Sequence, residues 1–595
     1  MEMNSNEKIQ IVGTNIGEKA NLIWNVANSL FGAYKPHEYG LVILPMAVIK
    51  RFHDCLLPTR DKVLETYDKV KKLAVKDGFL RKASGYRFYN TSNYTFEKLK
   101  ADPENIKGNF EDYIHGFSEN VIDILANMGF FTQIERMSDA GVLYQVISDF
   151  CDDDADMNPD RISAVDMGYV FENLVQRFSE SYDEEAGAHF TSRDIIYLMC
   201  DLLTEDSNFT EEDAAAKTVY DMAMGTSQML TCMEERIHAL DNNAEIICYG
   251  QEINPFTFGI AKADMLIRGG DPENMRFGNT LNDDKFSGYT FDYIISNPPF
   301  GIDWKREATD VEAEYKKGDA GRFGVGLPAK SDGQMLFLLN GLAKLKDTGR
   351  MAIIQNGSSL FTGDAGSGQS EIRRYLIESD WLDAIVQLPN DSFYNTGIAT
   401  YIWIITKDKP ESHREQVLLI DASQCYEQRR KPIGNKRVDI SEACRNLIVK
   451  AYGAYISRDY TYEISEGKSI ICKCKVMDSV SLGYNKITIE SPELDENGDP
   501  IMKGKKLVAD KRKRDTENVP LDEDIDDYFN REVLPYRPHA WIDRNKTKVG
   551  YEIPFTRTFY EYKELEPAAD IAKRIEEHEH SMMAKLHELF GNGGK

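Results

Sequence analysis

The segment Ser296-Asn297-Pro298-Pro299-Phe300-Gly301 follows an apolar run, Phe291 to Ile295, that has the length and composition of a buried strand. Its two prolines fix the backbone and leave carbonyls without competing N–H donors. In such a turn the Asn297 side-chain oxygen and the Pro298 carbonyl can accept both hydrogens of a planar exocyclic NH2 group. This draws the nitrogen lone pair out of conjugation and toward a methyl donor. Pro299 holds the turn, and Phe300 offers a face to the ring that bears the amine, a contact typically worth roughly 1–3 kcal/mol. A strand ending in a proline turn over a core phenylalanine would use the same residue types, but rarely this complete tetrapeptide in this register.

Two earlier segments suit a ligand beside that amine. Asp221-Met222-Ala223-Met224-Gly225-Thr226-Ser227-Gln228 follows a short β-rich run and opens a helix. A glycine at this turn lets the backbone approach a ligand, and the helix start offers free N–H donors. Glu252 then ends the run Ile246 to Tyr249 and its Gly250-Gln251 extension, where a ribose-binding acid belongs. Either feature alone is weak; a lone glycine or surface carboxylate is common. In register with each other they are moderately specific.

The elements that must position these residues are legible as alternation. β-rich runs at 218–220, 246–249, 291–296, 350–355, 382–388, 399–406 and 417–420 are separated by helical patterns, which predicts a largely parallel sheet with helices on both faces. Ligands in such a fold sit at the carboxyl ends of the strands. The last strands lie close together without full-length helices between them, which predicts an antiparallel edge pair. Before this region, residues 17–129 read as helical, with Ile23, Val26, Ala27, Leu30 and Phe31 at helical spacing. After about Asp459 the alternation fades, and residues 564–590 form a helix with Ile571, Ile575, Met582, Leu586 and Leu589 on one narrow stripe. The boundaries expected are 1–160 for the helical domain, 161–470 for the sheet domain and 471–595 for the C-terminal region.

Composition narrows the class. The chain of 595 residues has 42% hydrophobic and 28% charged residues, ordinary for a soluble globular protein with ample core. No secretory signal and no apolar run of about 18 residues is visible, so neither export nor a membrane span is expected. The nine scattered cysteines suit a cytoplasmic location with reduced thiols. Only Cys472 and Cys474 pair by spacing, and without a matching cluster they read as structural; no metal is expected. The acidic stretch 149–160 lacks the Gly and Glu positions of a calcium loop and reads as surface. The net charge of −27 opposes unaided binding of duplex DNA, where phosphate neutralisation supplies much of the affinity. The one basic run (Lys503, Lys505, Lys506, Lys511, Arg512, Lys513, Arg514) reads equally well as a solvated loop or as a phosphate contact.

Taken together, these segments resemble the methylation subunit of type I restriction-modification systems, an N6-adenine DNA methyltransferase, over nearly the whole chain. Asn297 to Phe300 matches that family without change. Gly187-Ala188-His189-Phe190-Thr191-Ser192-Arg193 is similar to a segment that borders the methionine part of S-adenosylmethionine, Asp221 to Gln228 to its glycine-rich loop, Glu252 to its ribose acid, and Gly278-Asn279-Thr280-Leu281 to the element near the cofactor adenine. Leu360-Phe361-Thr362-Gly363, Phe393 to Ile398, Arg531 to Pro535 and Gly550-Tyr551-Glu552-Ile553-Pro554 resemble stretches in one branch of the family. The resemblance implies a Rossmann-like S-adenosylmethionine-dependent methyltransferase sheet, an N-terminal helical domain and a helical C-terminal tail. It implies methyl transfer to a flipped adenine of double-stranded DNA, with a specificity subunit, a restriction subunit and a second copy of the chain as partners.

Departures from the pattern are Met222 for Pro, Ser227 and Gln228 for two glycines, Ser192 for Pro, and Asn279 where Asp is common. Serine suits a tight turn if its φ stays negative, Gln228 is bulky where methionine would lie, and Asn279 keeps an acceptor without charge. Two other readings stand beside the main one. One is a glutamine or RNA methyltransferase using the same tetrapeptide; the other is a methyltransferase-like assembly scaffold with weakened or lost catalysis.

Overall fold

The computed structural model describes residues 16–152, 155–181, 191–205, 216–241, 243–394, 396–465, 467–495, 499–504, 506–562 and 566–590. Ala188, His189 and Phe190 of the expected cofactor segment lie outside the described residues, as do Asp153 and Asp154 of the acidic stretch and Lys505 of the basic run. The chain forms two compact units, residues 1–553 and 554–595.

In the first unit the N-terminal helices pack around α1 (Gly40–Leu56), which is buried along nearly its whole length. A helix buried on every side belongs at the centre of a bundle, and the others surround it. Its buried Arg51 donates to the carbonyls of Met157 (2.5 Å) and Ile162 (2.9 Å), satisfying backbone groups of the loop that leaves the bundle. The bundle does not stop at residue 160. Helix α2 (Ala164–Ser181) buries Met167, Val170, Phe171 and Leu174 in the same core, and α3 (Pro255–Ile267) adds Ile260, Ala263 and Leu266 from within the sheet region. At Gly259 a Cβ would lie 2.6 Å from Met128 Cγ, so glycine is what lets the two regions dock this closely.

The sheet that follows has twelve-residue and shorter strands in the order β11-β12-β8-β6-β7-β5-β4-β1-β2-β3, where β1 is Lys217–Asp221, β2 Ile246–Glu252, β3 Met275–Phe277, β4 Phe291–Ser296, β5 Leu345–Asn356, β6 Leu382–Gln387, β7 Thr400–Thr406, β8 Gln416–Asp421, β11 Asp459–Ser465 and β12 Lys468–Asp478. A separate hairpin supplies β9 (Glu427–Ile433) and β10 (Lys436–Asp439). β3, β2, β1, β4 and β5 are mutually parallel. The antiparallel strand expected at the edge is instead interior: β7 lies between β5 and β6 and runs opposite to both. Among the described residues of the connection 388–399 there is no helix, so the chain reverses rather than crossing over. The edge is formed later, by the antiparallel β11 and β12, and residue 470 falls inside β12. Both cysteines of the spaced pair, Cys472 and Cys474, are buried in the core on one face of this sheet.

Beyond β12, β13 (Gly483–Glu490) pairs with strands Asp515–Pro520, Trp541–Ile542 and Lys548–Tyr551 in a small antiparallel sheet. It is tied to the main body through Arg373, which donates to the carbonyls of Tyr551 (2.6 Å) and Ser359 (2.9 Å). The Ile553 N–H bonds the Leu360 carbonyl at 2.8 Å. Two segments singled out by resemblance, 360–363 and 550–553, are therefore neighbours. Of the basic run, Arg514 is engaged by Glu490 and Lys513 reaches Asp510, while the Arg512 side chain is 91% exposed.

The second unit is described by a short turn of helix and by α4 (Ala568–Phe590). Its Ile571, Ile575, Met582 and Leu586 are all exposed. Among the described residues no helix is long and apolar enough to cross a membrane.

Candidate active site

The carboxyl ends of β3, β2, β1 and β4 stand side by side and carry, in that order, Asn279, Glu252, the turn 221–228, and Asn297. One cavity of about 650 Å³ runs past all of them. Asn297 follows β4 directly and is 5% exposed. Its Nδ2 donates to Thr191 Oγ1 at 2.9 Å, and its Oδ1 is buried with no hydrogen-bond partner. A buried amide oxygen without a donor costs about 1–3 kcal/mol, so one left unpartnered on a residue that lines a cavity is suited to an incoming N–H. Ser296, just before, donates to Asp221 Oδ1 at 2.6 Å and so links the ends of β4 and β1. Burial pushes the Asp221 carboxyl up to about 7, against the hydrogen bonds from Ser296 and the Ala223 N–H that favour its anion.

Gly225 adopts φ +53°, a conformation that favours glycine, and this aims its N–H at Glu252 Oε2 (2.8 Å). The other Glu252 oxygen accepts from the Asn254 N–H at 2.7 Å. Burial raises the Glu252 pKa, and these N–H groups pull it back. Ser227 departs from expectation. Its φ is +66°, not negative, so the left-handed conformation that glycine would adopt freely is imposed on serine, and its buried hydroxyl has no partner. Gln228 starts the next helix (Gln228–Leu240) and lines the cavity with its Nε2 buried and unpartnered.

Of the residues expected from the sequence, the cavity wall contains Thr191, Asp221, Gly225, Thr226, Gln228, Glu252, Asn279, Asn297 and Pro299. Ser192, Arg193, Ser227, Pro298 and Phe300 are not in that wall. Pro298 is buried, and Phe300 is half-buried against the sheet core. Arg193 faces away into a buried ionic network. It bonds Glu172, Tyr197 Oη (2.9 Å) and Glu235 (3.3 Å), and its guanidinium lies 3.8 Å from the Tyr169 ring centre. Arg268 completes the network through Glu235 (3.2 Å) and Asp264 (3.0 Å). Its role is to clamp the helices behind the wall, and with them Thr191. Among the described residues no group of three or more potential metal ligands occurs.

Residues 163–485 match the family model described as N-6 DNA Methylase. The chain belongs to the N-6 DNA methylase family. Residues 19–150 match a second model, described as HsdM N-terminal domain. Among curated relatives, the chain is 25% identical over 384 residues to a type I restriction enzyme MjaIX methylase subunit of Methanocaldococcus jannaschii, covering 64% of this chain and 62% of that one. It is 30% identical over 265 residues to a type I restriction enzyme HindI methylase subunit of Haemophilus influenzae, covering 43% and 54%. The chain thus spans between about half and two thirds of these relatives' length. In fold it is similar to the type I restriction-modification methyltransferase subunit of Streptococcus thermophilus, with a TM-score of 0.62, 20% identity, and 79% of this chain and 97% of that one covered.

Several residues of the cavity wall escape a reading of the sequence. Leu41, Asn127, Met128, Gln133 and Val175 bring the helical region to the cavity, and Trp304 and Glu307 come from the loop after Phe300. Arg322 holds the 279–281 turn by donating to the Thr280 (2.6 Å) and Leu281 (3.1 Å) carbonyls. None carries a local signal. Trp304, Glu307 and Arg322 act through partners outside their own segment.

Proposed function

We propose that this chain is the methyl-transferring subunit of a type I restriction-modification complex, acting on the N6 amine of adenine in DNA with S-adenosylmethionine. The observation that carries the reading is the Asn297 amide, which Thr191 holds with its acceptor oxygen buried, unpartnered and adjoining the cavity. The wall fits the cofactor: Glu252 suits a ribose, and the unpartnered Gln228 Nε2 and Thr226 suit the polar amino-acid end. When bound, S-adenosylmethionine supplies an electrophilic methyl group. Asn297 Oδ1 and the Pro298 carbonyl accept the two hydrogens of the amine, turn its lone pair toward that methyl, and leave the departing proton to solvent. Their contribution is positioning and polarisation. The adenine reaches them only after rotating out of the duplex, at a cost of a few kcal/mol that stacking on Phe300 helps offset.

The charge of −27 supports a division of labour in which a specificity subunit supplies much of the DNA contact. A restriction subunit and a second copy complete the assembly, in the cytoplasm. Labelled-methyl transfer to duplex DNA, RNA and protein tests the reading. Transfer to DNA that is lost in a folded Asn297→Ala variant is the expected result, and near-normal transfer by that variant would refute it. The strained Ser227 and the Gln228 side chain in the cavity favour one alternative, an assembly scaffold; calorimetry showing no S-adenosylmethionine binding at high concentration would select it.

A further inference from the structure

Where the cavity meets the carboxyl end of β3, its wall carries a carboxylate, Glu307, that has no part in the chemistry at Asn297. Asn279 Oδ1 accepts from the Leu281 N–H at 3.0 Å, and its Nδ2 donates to Glu307 Oε1 at 2.9 Å. Among the described residues, Asn279 is the one side chain hydrogen-bonded to the Glu307 carboxylate. Both side chains line the cavity, together with the apolar Ile253 and Leu281. β3 and β4 are three strand spacings apart in the sheet, about 14 Å at roughly 4.8 Å per spacing. A ligand with its methyl group at Asn297 and its ribose at Glu252, between them, therefore brings its base to Asn279 and Glu307.

We propose that Glu307 is the specificity-determining residue for that base, accepting a hydrogen bond from its exocyclic amine, with Asn279 as the residue that orients it. This rests on the S-adenosylmethionine reading given above. The chemistry is that of an amine donor meeting a charged acceptor, and a base with a carbonyl at the same place meets lone pairs instead. Asn279 is matched to this role. An aspartate there would set two carboxylates against each other, whereas the amide donates to Glu307 and leaves its second oxygen for the ligand.

The test is calorimetric binding of S-adenosylhomocysteine and of S-inosylhomocysteine, in which a carbonyl replaces the amine, to the full chain. The wild type is expected to prefer the adenosyl compound by about ten- to a hundredfold, the worth of one hydrogen bond to a charged group. In Glu307→Gln, whose amide can donate to the carbonyl, the preference should narrow to within about threefold or invert. In Glu252→Gln both compounds should weaken while the ratio stays. Asn279→Asp should weaken the adenosyl compound, and combining it with Glu307→Gln should recover binding. Thermal melting reports the fold of each variant. Equal wild-type affinities, or a Glu307→Gln ratio like that of the wild type, would overturn the proposal and leave the cofactor reading standing. Binding of neither compound to the wild type would overturn both.

Discussion

Thr191→Val tests the hydroxyl that holds the Asn297 amide. Thr191 and Asn297 are each 5% exposed, and valine keeps the shape of threonine while deleting the Oγ1 that accepts from Asn297 Nδ2. The amide then has two choices. It can keep its orientation with a buried NH2 group unpartnered, at about 1–3 kcal/mol, or it can rotate and turn that NH2 into the cavity. The rotated amide offers donors to a substrate amine that is itself a donor. In either case the competent orientation becomes less populated by about five- to 150-fold, at 1.4 kcal/mol per factor of ten. Single-turnover transfer of a labelled methyl group, with cofactor and DNA saturating and the specificity subunit present, reads this population directly. Thr191→Ser keeps the acceptor and should stay within about threefold of the wild type. A Thr191→Val protein with the wild-type rate and an unchanged melting temperature would refute the claim that Thr191 sets the amide.

Asp221 gives a pH signature. Its carboxyl is raised to about 7 by burial, from an ordinary value of 3.8, so the folded state keeps a proton that the unfolded state has lost between those values. Stability must therefore fall as pH rises through that window, and Asp221→Asn should remove about 2 kcal/mol of this fall between pH 5 and 7. Urea denaturation of both proteins across pH 5 to 8 measures the difference, and parallel curves would refute it. At the same turn, Ser227→Gly relieves a left-handed serine and an unpartnered buried hydroxyl, against the greater unfolded-state freedom of glycine. A gain of about 1 kcal/mol in urea unfolding is expected, and a loss would show that the Ser227 hydroxyl has a partner after all.

The central strands β1, β4 and β5 are legible because each contains an apolar, β-branched core buried on both faces, whereas β3, three residues long with Phe277 exposed, has no such pattern. Val219, Tyr220, Ile294, Ile295, Ile353 and Ile354 are all fully buried. Periodicity carries no direction, however. The antiparallel insertion of β7 between β5 and β6 depends on a helix-free connection, and that feature is equally compatible with an edge position. The same limit separates Asn297 from Arg193. Asn297 announces itself because the prolines beside it are chemically unusual. A cation at the end of a ligand segment reads the same whether it meets the ligand or, as here, the buried Glu172 and Glu235.

Glu307 shows why part of a site remains silent even when its family pattern is plain. Sequence comparison makes Asn279 look like a weakened aspartate, a position that has lost its charge. In three dimensions the charge has moved rather than disappeared, because a carboxylate 28 residues later reaches the same place and needs an amide, not an acid, beside it. The loop that brings Glu307 there is continuous with Asn297 to Phe300 and is anchored by the buried Trp304, whose Nε1 donates to the Ala329 carbonyl at 3.0 Å. One loop therefore bounds the cavity at both its amine end and its base end.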